Sequence, residues 1–265
     1  MASFENRVLG RTGIPVGPLG ISSSFGAEAA AYEEAFERGC NYFTWGTFMK
    51  GRSAGMREAM RNIIRSGKRD QLVVGMLTYA HNAALSEYFL QKGLAAAGLD
   101  YADVLLLGWF RKRPSRKIIE GTLALQKRGL IRHIGLTSHV RTLFPKLAKE
   151  NIFDVFHIRY NAVHRKAESE TFPFLKGERR PGVVSFTATD WRKLLKPGRM
   201  PAGEHPPSAA DCYRFALSHS SVDVCMMGAR NTAQMQENLA ALSQGPMAPE
   251  ELERMRRIGD HIYNA

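Results

Sequence analysis

Val222–Leu242 reads VDVCMMGARNTAQMQENLAAL, and the rest of the chain is read outward from it. Its first six residues form an apolar run that fits a buried strand. The stretch then opens a helix. The Gly-Ala-Arg turn between the two, Gly228 to Arg230, leaves free backbone N–H groups at a positive helix end, a setting that suits phosphate. Arg230 adds a fork of donors that can grip phosphate at two points. Gln234, Glu237 and Asn238 stand one helical turn apart on one face, which can hydrogen-bond a purine. The bland alternative is a capped surface helix.

Working back from this stretch, short apolar segments alternate with amphipathic ones. Strands are expected at Pro18–Ser22, Asn41–Thr44, Leu72–Leu77, Val104–Leu107, Ile131–Leu136, Val155–Arg159, Gly182–Phe186 and Val222–Met227. Helices are expected over Gly26–Arg38, Ser53–Ser66 with a cap at Ser53, Asn82–Ala97, Ser115–Arg128, Val140–Lys149, Arg165–Leu175 and Ser208–Ser218, with a last one at Pro249–Ile258 lying across the barrel. Arg7–Val16 reads as a hairpin turning at Thr12-Gly13. Eight strands in strict alternation with helices predict an α/β fold, a closed (β/α)8 TIM barrel with its site at the strand C-terminal ends, in one domain over residues 1–265. The Pro/Gly-rich Lys196–Pro207 is the one linker-like stretch, read evenly as a lid or a plain loop.

Composition narrows the class. No apolar run reaches the roughly 20 residues of a membrane span, and MASFENRVLG lacks the apolar centre of a signal peptide. The three cysteines, Cys40, Cys212 and Cys225, show no metal spacing, so no metal is expected and a reducing cytoplasm is. The net charge of +12 attracts anions, but the basic residues are spread along helices without aromatic platforms, which argues against nucleic acid.

The Gly-x-Arg turn followed by Gln-x-x-Glu-Asn resembles the C-terminal cofactor motif of aldo-keto reductases. Further motifs in matching order carry the resemblance along the chain: Arg7-x-Leu9-Gly10-x-Thr12-Gly13, Gly39–Phe43, Gly51-Arg52-Ser53, Asp100-Tyr101-x-Asp103, Lys127–Ser138 and Tyr160-Asn161. The resemblance implies the hairpin as a plug beneath the barrel and NADP(H) as cofactor. It puts the adenosine end on Gly228, Arg230, Gln234, Glu237 and Asn238, the nicotinamide carboxamide on Thr137, Ser138 and His157, and the ring against Phe186.

The family's acid/base machinery does not carry over. Its Asp, Tyr, Lys and His fall here on Thr44, on Phe48 or Met49, on Leu77 or Met76, and on Gly108. None of these transfers a proton near neutral pH. Losing Lys and Asp together avoids a buried unpaired charge. Tyr79 and His157 are the replacement candidates by position; His139 and His164 lie nearby, and Arg159 shares a strand face with His157. A satisfied buried imidazole is the favoured reading of His157, and loop surface that of Tyr79 and His139. Trp45 and Trp109 flank lost positions; space-filling is favoured over lining a flat pocket. The expectation is an NADP(H)-binding protein, at most a non-standard oxidoreductase on a carbonyl or alcohol. The alternatives are an inactive pseudoenzyme acting through a protein partner or as a homo-oligomer, and a lyase or isomerase.

Overall fold

The strand segments close on themselves. In the computed structural model, which describes residues 3–48 and 51–264, a two-stranded antiparallel hairpin of β1 (Arg7–Val8) and β2 (Pro15–Val16) precedes eight parallel strands. These are β3 (Leu19–Ser22), β4 (Tyr42–Trp45), β5 (Val73–Thr78), β6 (Ala102–Leu107), β7 (Ile131–Ser138), β8 (Val155–Arg159), β9 (Gly182–Phe186) and β10 (Val224–Met227). They stand in chain order, and β10 returns to pair with β3, Cys225 opposite Leu19. Outside the ring lie α1 (Ala29–Glu37), α2 (Ala54–Arg65), α3 (Ala83–Ala97), α4 (Arg116–Lys127), α5 (Leu143–Ala148), α6 (Ala167–Glu170), α7 (Ala209–Leu217), α8 (Thr232–Gln244) and α9 (Pro249–Asn264).

Period-two alternation sorts each strand between two cores. In β5, Val73 faces the barrel interior while Val74 and Met76 face the helices. The interior cluster gathers Val73, Val104, Val155, Val184 and Val224 with Tyr42 and Met226, and Leu9 and Val16 of the hairpin close it from below. The larger cluster fills the layer between barrel and helices.

Alternate strands are clipped at the bottom by one device. Asn41, Asp103, Asp154 and Asp223, each at or just before the start of an even-numbered strand, accept a backbone N–H from the preceding odd-numbered strand or the residues leading into it: Gly17 ahead of β3 (3.0 Å), Val74 (2.8 Å), Ile134 (3.1 Å) and Val183 (2.8 Å). The three carboxylates also hold arginines: Arg69 on Asp103 (3.0 Å), Arg11 on Asp154 (3.0 Å) and Arg180 on Asp223 (2.5 Å).

Several expected boundaries are corrected. The helix expected over Arg165–Leu175 breaks into α6 and a 3-10 turn at Phe172–Phe174, because Pro173 donates no N–H and its ring crowds the preceding turn. The last helix runs on to Asn264, six residues past Ile258 (264 − 258). The fifth begins at Leu143, not Val140. Ser53 stands at the head of α2 without a side-chain cap bond. Asn82, Ser115 and Ser208 do cap α3, α4 and α7, accepting from Leu85, Ile118 and Asp211 N–H groups. No helix of the described residues is long and apolar enough to cross a membrane.

Candidate active site

A cavity of about 730 Å³ opens at the C-terminal ends of the strands. Its floor is built from inward-facing residues of β4, β5, β7 and β8: Thr44, Leu77, Thr137 and His157. Alternation fixes one of the two positions that the sequence left open. Leu77 faces the cavity and Met76 is turned outward into the helix layer, so Leu77 stands where the resemblance sets a lysine. Phe48 is exposed at the rim, outside the cavity lining; Met49 lies outside the described residues.

His157 is 4% exposed, and its Nε2 lies 2.8 Å from the Tyr42 hydroxyl inside the barrel. Burial without a counter-charge pushes the imidazole down to about 3. It is therefore neutral at physiological pH. Burial also drives the Tyr42 phenol far above its ordinary range. A neutral pair results, joined by a hydrogen bond between the phenol and Nε2, and it carries no labile proton near pH 7. Sequence reading left Tyr42 unassigned. Its two-residue spacing from Thr44 puts both on one face, but its contact with His157 spans 115 positions and is set only when the barrel closes.

Tyr79 lies on Gly108. A Cβ at residue 108 would come within 2.3 Å of the Tyr79 ring, so the position where the resemblance sets a histidine is kept empty by a neighbouring aromatic. The ring also meets Phe48 at 4.6 Å and Trp109 at 5.9 Å. Partial burial raises the phenol, and no cation opposes the shift. Tyr79 can donate a hydrogen bond, but nothing activates it as an acid. His139, edge-on to Phe186 at 5.7 Å, is pushed down by burial, with Arg159 and His164 adding to the shift.

The two tryptophans separate. Trp45 is 1% exposed and fills the outer core, whereas Trp109 is 67% exposed, lines the cavity and holds φ at 65°. Space-filling thus describes Trp45 and not Trp109. Ser138, expected near the carboxamide, is outside the lining; its hydroxyl donates to the Phe110 carbonyl (2.6 Å) and accepts from Val140 N–H (2.9 Å). His164 is paired to the buried Asp190 at 3.2 Å.

At the other end of the cavity stand Gly228, Arg230, Gln234, Glu237 and Asn238. Asn231 caps α8 by accepting from Gln234 N–H (2.9 Å). The Gln234 carbonyl accepts from Arg230 N–H (3.0 Å), and Asn238 donates to the Gly228 carbonyl (3.1 Å). These side chains therefore hold the turn in shape, and the Arg230 N–H, expected free, is taken. The Arg230 guanidinium is exposed and has no ion-pair partner among the described residues. A Cβ at residue 228 would strike the Phe25 ring at 2.1 Å, so glycine is what lets that ring cover the turn.

The loop over the cavity is not Lys196–Pro207. Thr187, Ala188, Thr189, Trp191, Arg192 and Leu195 line it. Within the 196–207 segment, read evenly as lid or plain loop, Glu204 pairs with Arg254 of α9 at 2.8 Å, and the His205 carbonyl accepts from the same guanidinium at 2.7 Å. Thr187, Asp190, Trp191 and Arg192 hold φ between 44° and 70°, strained for residues with a Cβ. Arg159 stacks over Trp191 at 5.9 Å.

Comparison with known proteins bears on this geometry. Residues 19–187 match the model of the aldo/keto reductase family. A comparison with curated proteins finds no match. The holo form of aldo-keto reductase AKR11C1 from Bacillus halodurans superposes with a TM-score of 0.78 at 19% identity, covering 96% of each chain. Its apo form gives 0.75 at 20% identity, covering 96% of this chain and 95% of that one.

Proposed function

Since the chain belongs to the aldo/keto reductase family, we propose that it binds NADP(H) along the cavity and has given up the family's proton-transfer chemistry. One observation carries this: the residues expected at the adenosine end and most of those expected at the nicotinamide end line one continuous space. Arg230, an exposed cation at a helix start with no acidic partner among the described residues, fits a phosphate. Glu237 and Asn238 share a helix face beside it, while Thr137, His157 and Phe186 border the opposite end. Bound there, the cofactor would supply or accept a hydride.

The chain's own residues bind and orient; none is poised to move a proton. His157 stays neutral, Tyr79 stays a phenol, and Thr44, Leu77 and Gly108 have nothing to transfer. General acid catalysis typically contributes ~10²–10⁴-fold, so ordinary aldehyde reduction falls by at least that factor. The neutral His157 equally favours a second reading, a cofactor-binding protein without turnover. Isothermal calorimetry with NADPH decides the first step. Binding is expected, and Arg230→Ala weakens it by about 1.5–3 kcal/mol, the scale of a charged hydrogen bond. No heat at millimolar NADPH would end the proposal.

A further inference from the structure

We infer that the outer face of α2 and α3 docks on an anionic phospholipid bilayer, lying along its headgroups without crossing it. The face is separate from cofactor binding: none of the residues that carry it lines the cavity.

Helix α3 is apolar on two sides. Its buried stripe holds Leu90, Gly93, Leu94 and Ala97. On the other side Leu85, Tyr88, Phe89 and Lys92 recur at i, i+3, i+4 and i+7, the spacing of one helical face. Leu85 and Tyr88 are more than half exposed, and Phe89 more than a third. Tyr88 and Phe89 meet edge to face at 5.4 Å, and the Lys92 ammonium stands 5.7 Å from the centre of the Tyr88 ring. A lone exposed apolar residue is ordinary, but a contiguous apolar face rimmed by charge marks a surface that meets something.

Helix α2 supplies the charge. The Arg61 guanidinium donates to the Ala96 carbonyl at 3.0 Å, which sets α2 beside α3. Arg57, Arg61 and Arg65 follow one another at four-residue spacing, and neither they nor Lys92 have an ion-pair partner among the described residues. The two helices carry two acids, Glu58 and Glu87. Arg128 holds Glu87 at 2.6 Å, which leaves Glu58 against four open cations. Such a face calls for an anionic occupant. The same charge opposes a second copy of the chain, because a two-fold contact sets the same patch against itself.

A bilayer answers both halves of the face. Leucine and aromatic side chains enter the boundary between headgroups and acyl chains, while long basic side chains reach the phosphates beside them. The shape also favours it. Hot spots of protein interfaces sit in well-packed pockets, whereas Tyr88 and Leu85 stand on the crest of a convex helix, which a fluid bilayer receives without a matching groove.

The test sediments the full chain with vesicles of phosphatidylcholine alone and of equimolar phosphatidylcholine and phosphatidylglycerol. Binding is expected to the second and not to the first. A basic residue near an anionic surface contributes about fivefold, so Arg57→Gln, Arg61→Gln and Arg65→Gln together should weaken binding about 100-fold. Leu85→Ser with Tyr88→Ser should weaken it at least ~tenfold at unchanged charge. A control removes equal charge on the far side of the ring, around α5 and α6, with Lys146→Gln, Lys149→Gln and Lys176→Gln, and should bind nearly as the native chain does. Far-ultraviolet dichroism checks that every variant folds. As a readout of insertion, Tyr88→Trp should add tryptophan emission that moves to shorter wavelength on the equimolar vesicles. No binding to those vesicles overturns the proposal. So does an equal loss in the control, which would reduce the effect to net charge, or a Tyr88→Trp emission that does not move. Binding to duplex DNA, to an acidic protein or to a second copy, lost in the triple arginine variant and unaccompanied by vesicle binding, would give the face to that occupant and overturn the bilayer.

Discussion

The two ends of the barrel are built by opposite rules. At the N-terminal ends of the strands, buried or half-buried Asx side chains each accept a backbone N–H, and their carboxylates are neutralised by arginines. At the C-terminal ends, indoles stand in solvent, Arg230 has no acidic partner among the described residues, and five of the six non-glycine residues with positive φ sit in the two loops after β6 and β9. Polar groups satisfied at one end and left open at the other separate the part that holds the ring together from the part that meets ligands, a division common to barrels of this class. The Tyr42–His157 bond lies between the two. It is satisfied like the bottom, but His157 also borders the cavity.

Breaking the bottom should have the largest effect. Asp223→Ala strips Arg180 of its bidentate partner and Val183 N–H of its acceptor; breaking such a buried pair costs about 3–5 kcal/mol. Urea unfolding should show this loss. A midpoint unchanged from the native protein would mean that the clip is dispensable. Next comes the centre. Tyr42→Phe leaves His157 Nε2 without its hydrogen-bond partner in the core, at about 1–3 kcal/mol, again read by urea unfolding.

The same imidazole makes the centre acid-sensitive. Its folded pKa is depressed, to about 3 against an ordinary 6.5. The unfolded chain therefore takes up the proton first as pH falls. The stability this site contributes is intact above pH 6.5 and is lost on the way down toward 3, at about 1.4 kcal/mol per pH unit. His157→Gln should flatten the stability profile between pH 6 and 4 by roughly that slope; an unchanged profile would mean that the imidazole is protonated when folded. The smallest effect belongs at the top. Arg230→Ala should shift unfolding free energy by no more than about 0.5 kcal/mol, whatever it does to NADPH affinity. A larger shift would put Arg230 among the residues that hold the fold.

The sequence exposed much of this and concealed the rest for physical reasons. Strand order and inward-facing residues were legible because period two and turn residues are local, and β8 and β9 match their expected bounds to the residue. Thr44 and Leu77 were legible as inward-facing residues near the strand ends, and both line the cavity there. What stayed hidden depended on distant parts meeting. Tyr42 finds His157 across the barrel, the Tyr79 ring settles on Gly108, and Glu204 finds Arg254, which ties down the segment read evenly as a lid or a plain loop. Ser138 illustrates the converse. A hydroxyl in a motif position looks available until the Phe110 carbonyl claims it. Trp109 was read as space-filling and is exposed instead, because exposure depends on the backbone turn that sets its φ.

The alternate-strand clips bear on how the ring is assembled in time. Each joins residues only 20 to 40 positions apart. The final ladder, in contrast, brings Cys225 to Leu19, near opposite ends of the chain. The entropy of closing a loop grows with its length, and topologies rich in local contacts form faster. Every clip spans one complete strand–helix–strand unit, so four preformed quarters can be paired before the ring shuts. The search for the last, most distant contact then involves a few stiff blocks instead of eight independent strands.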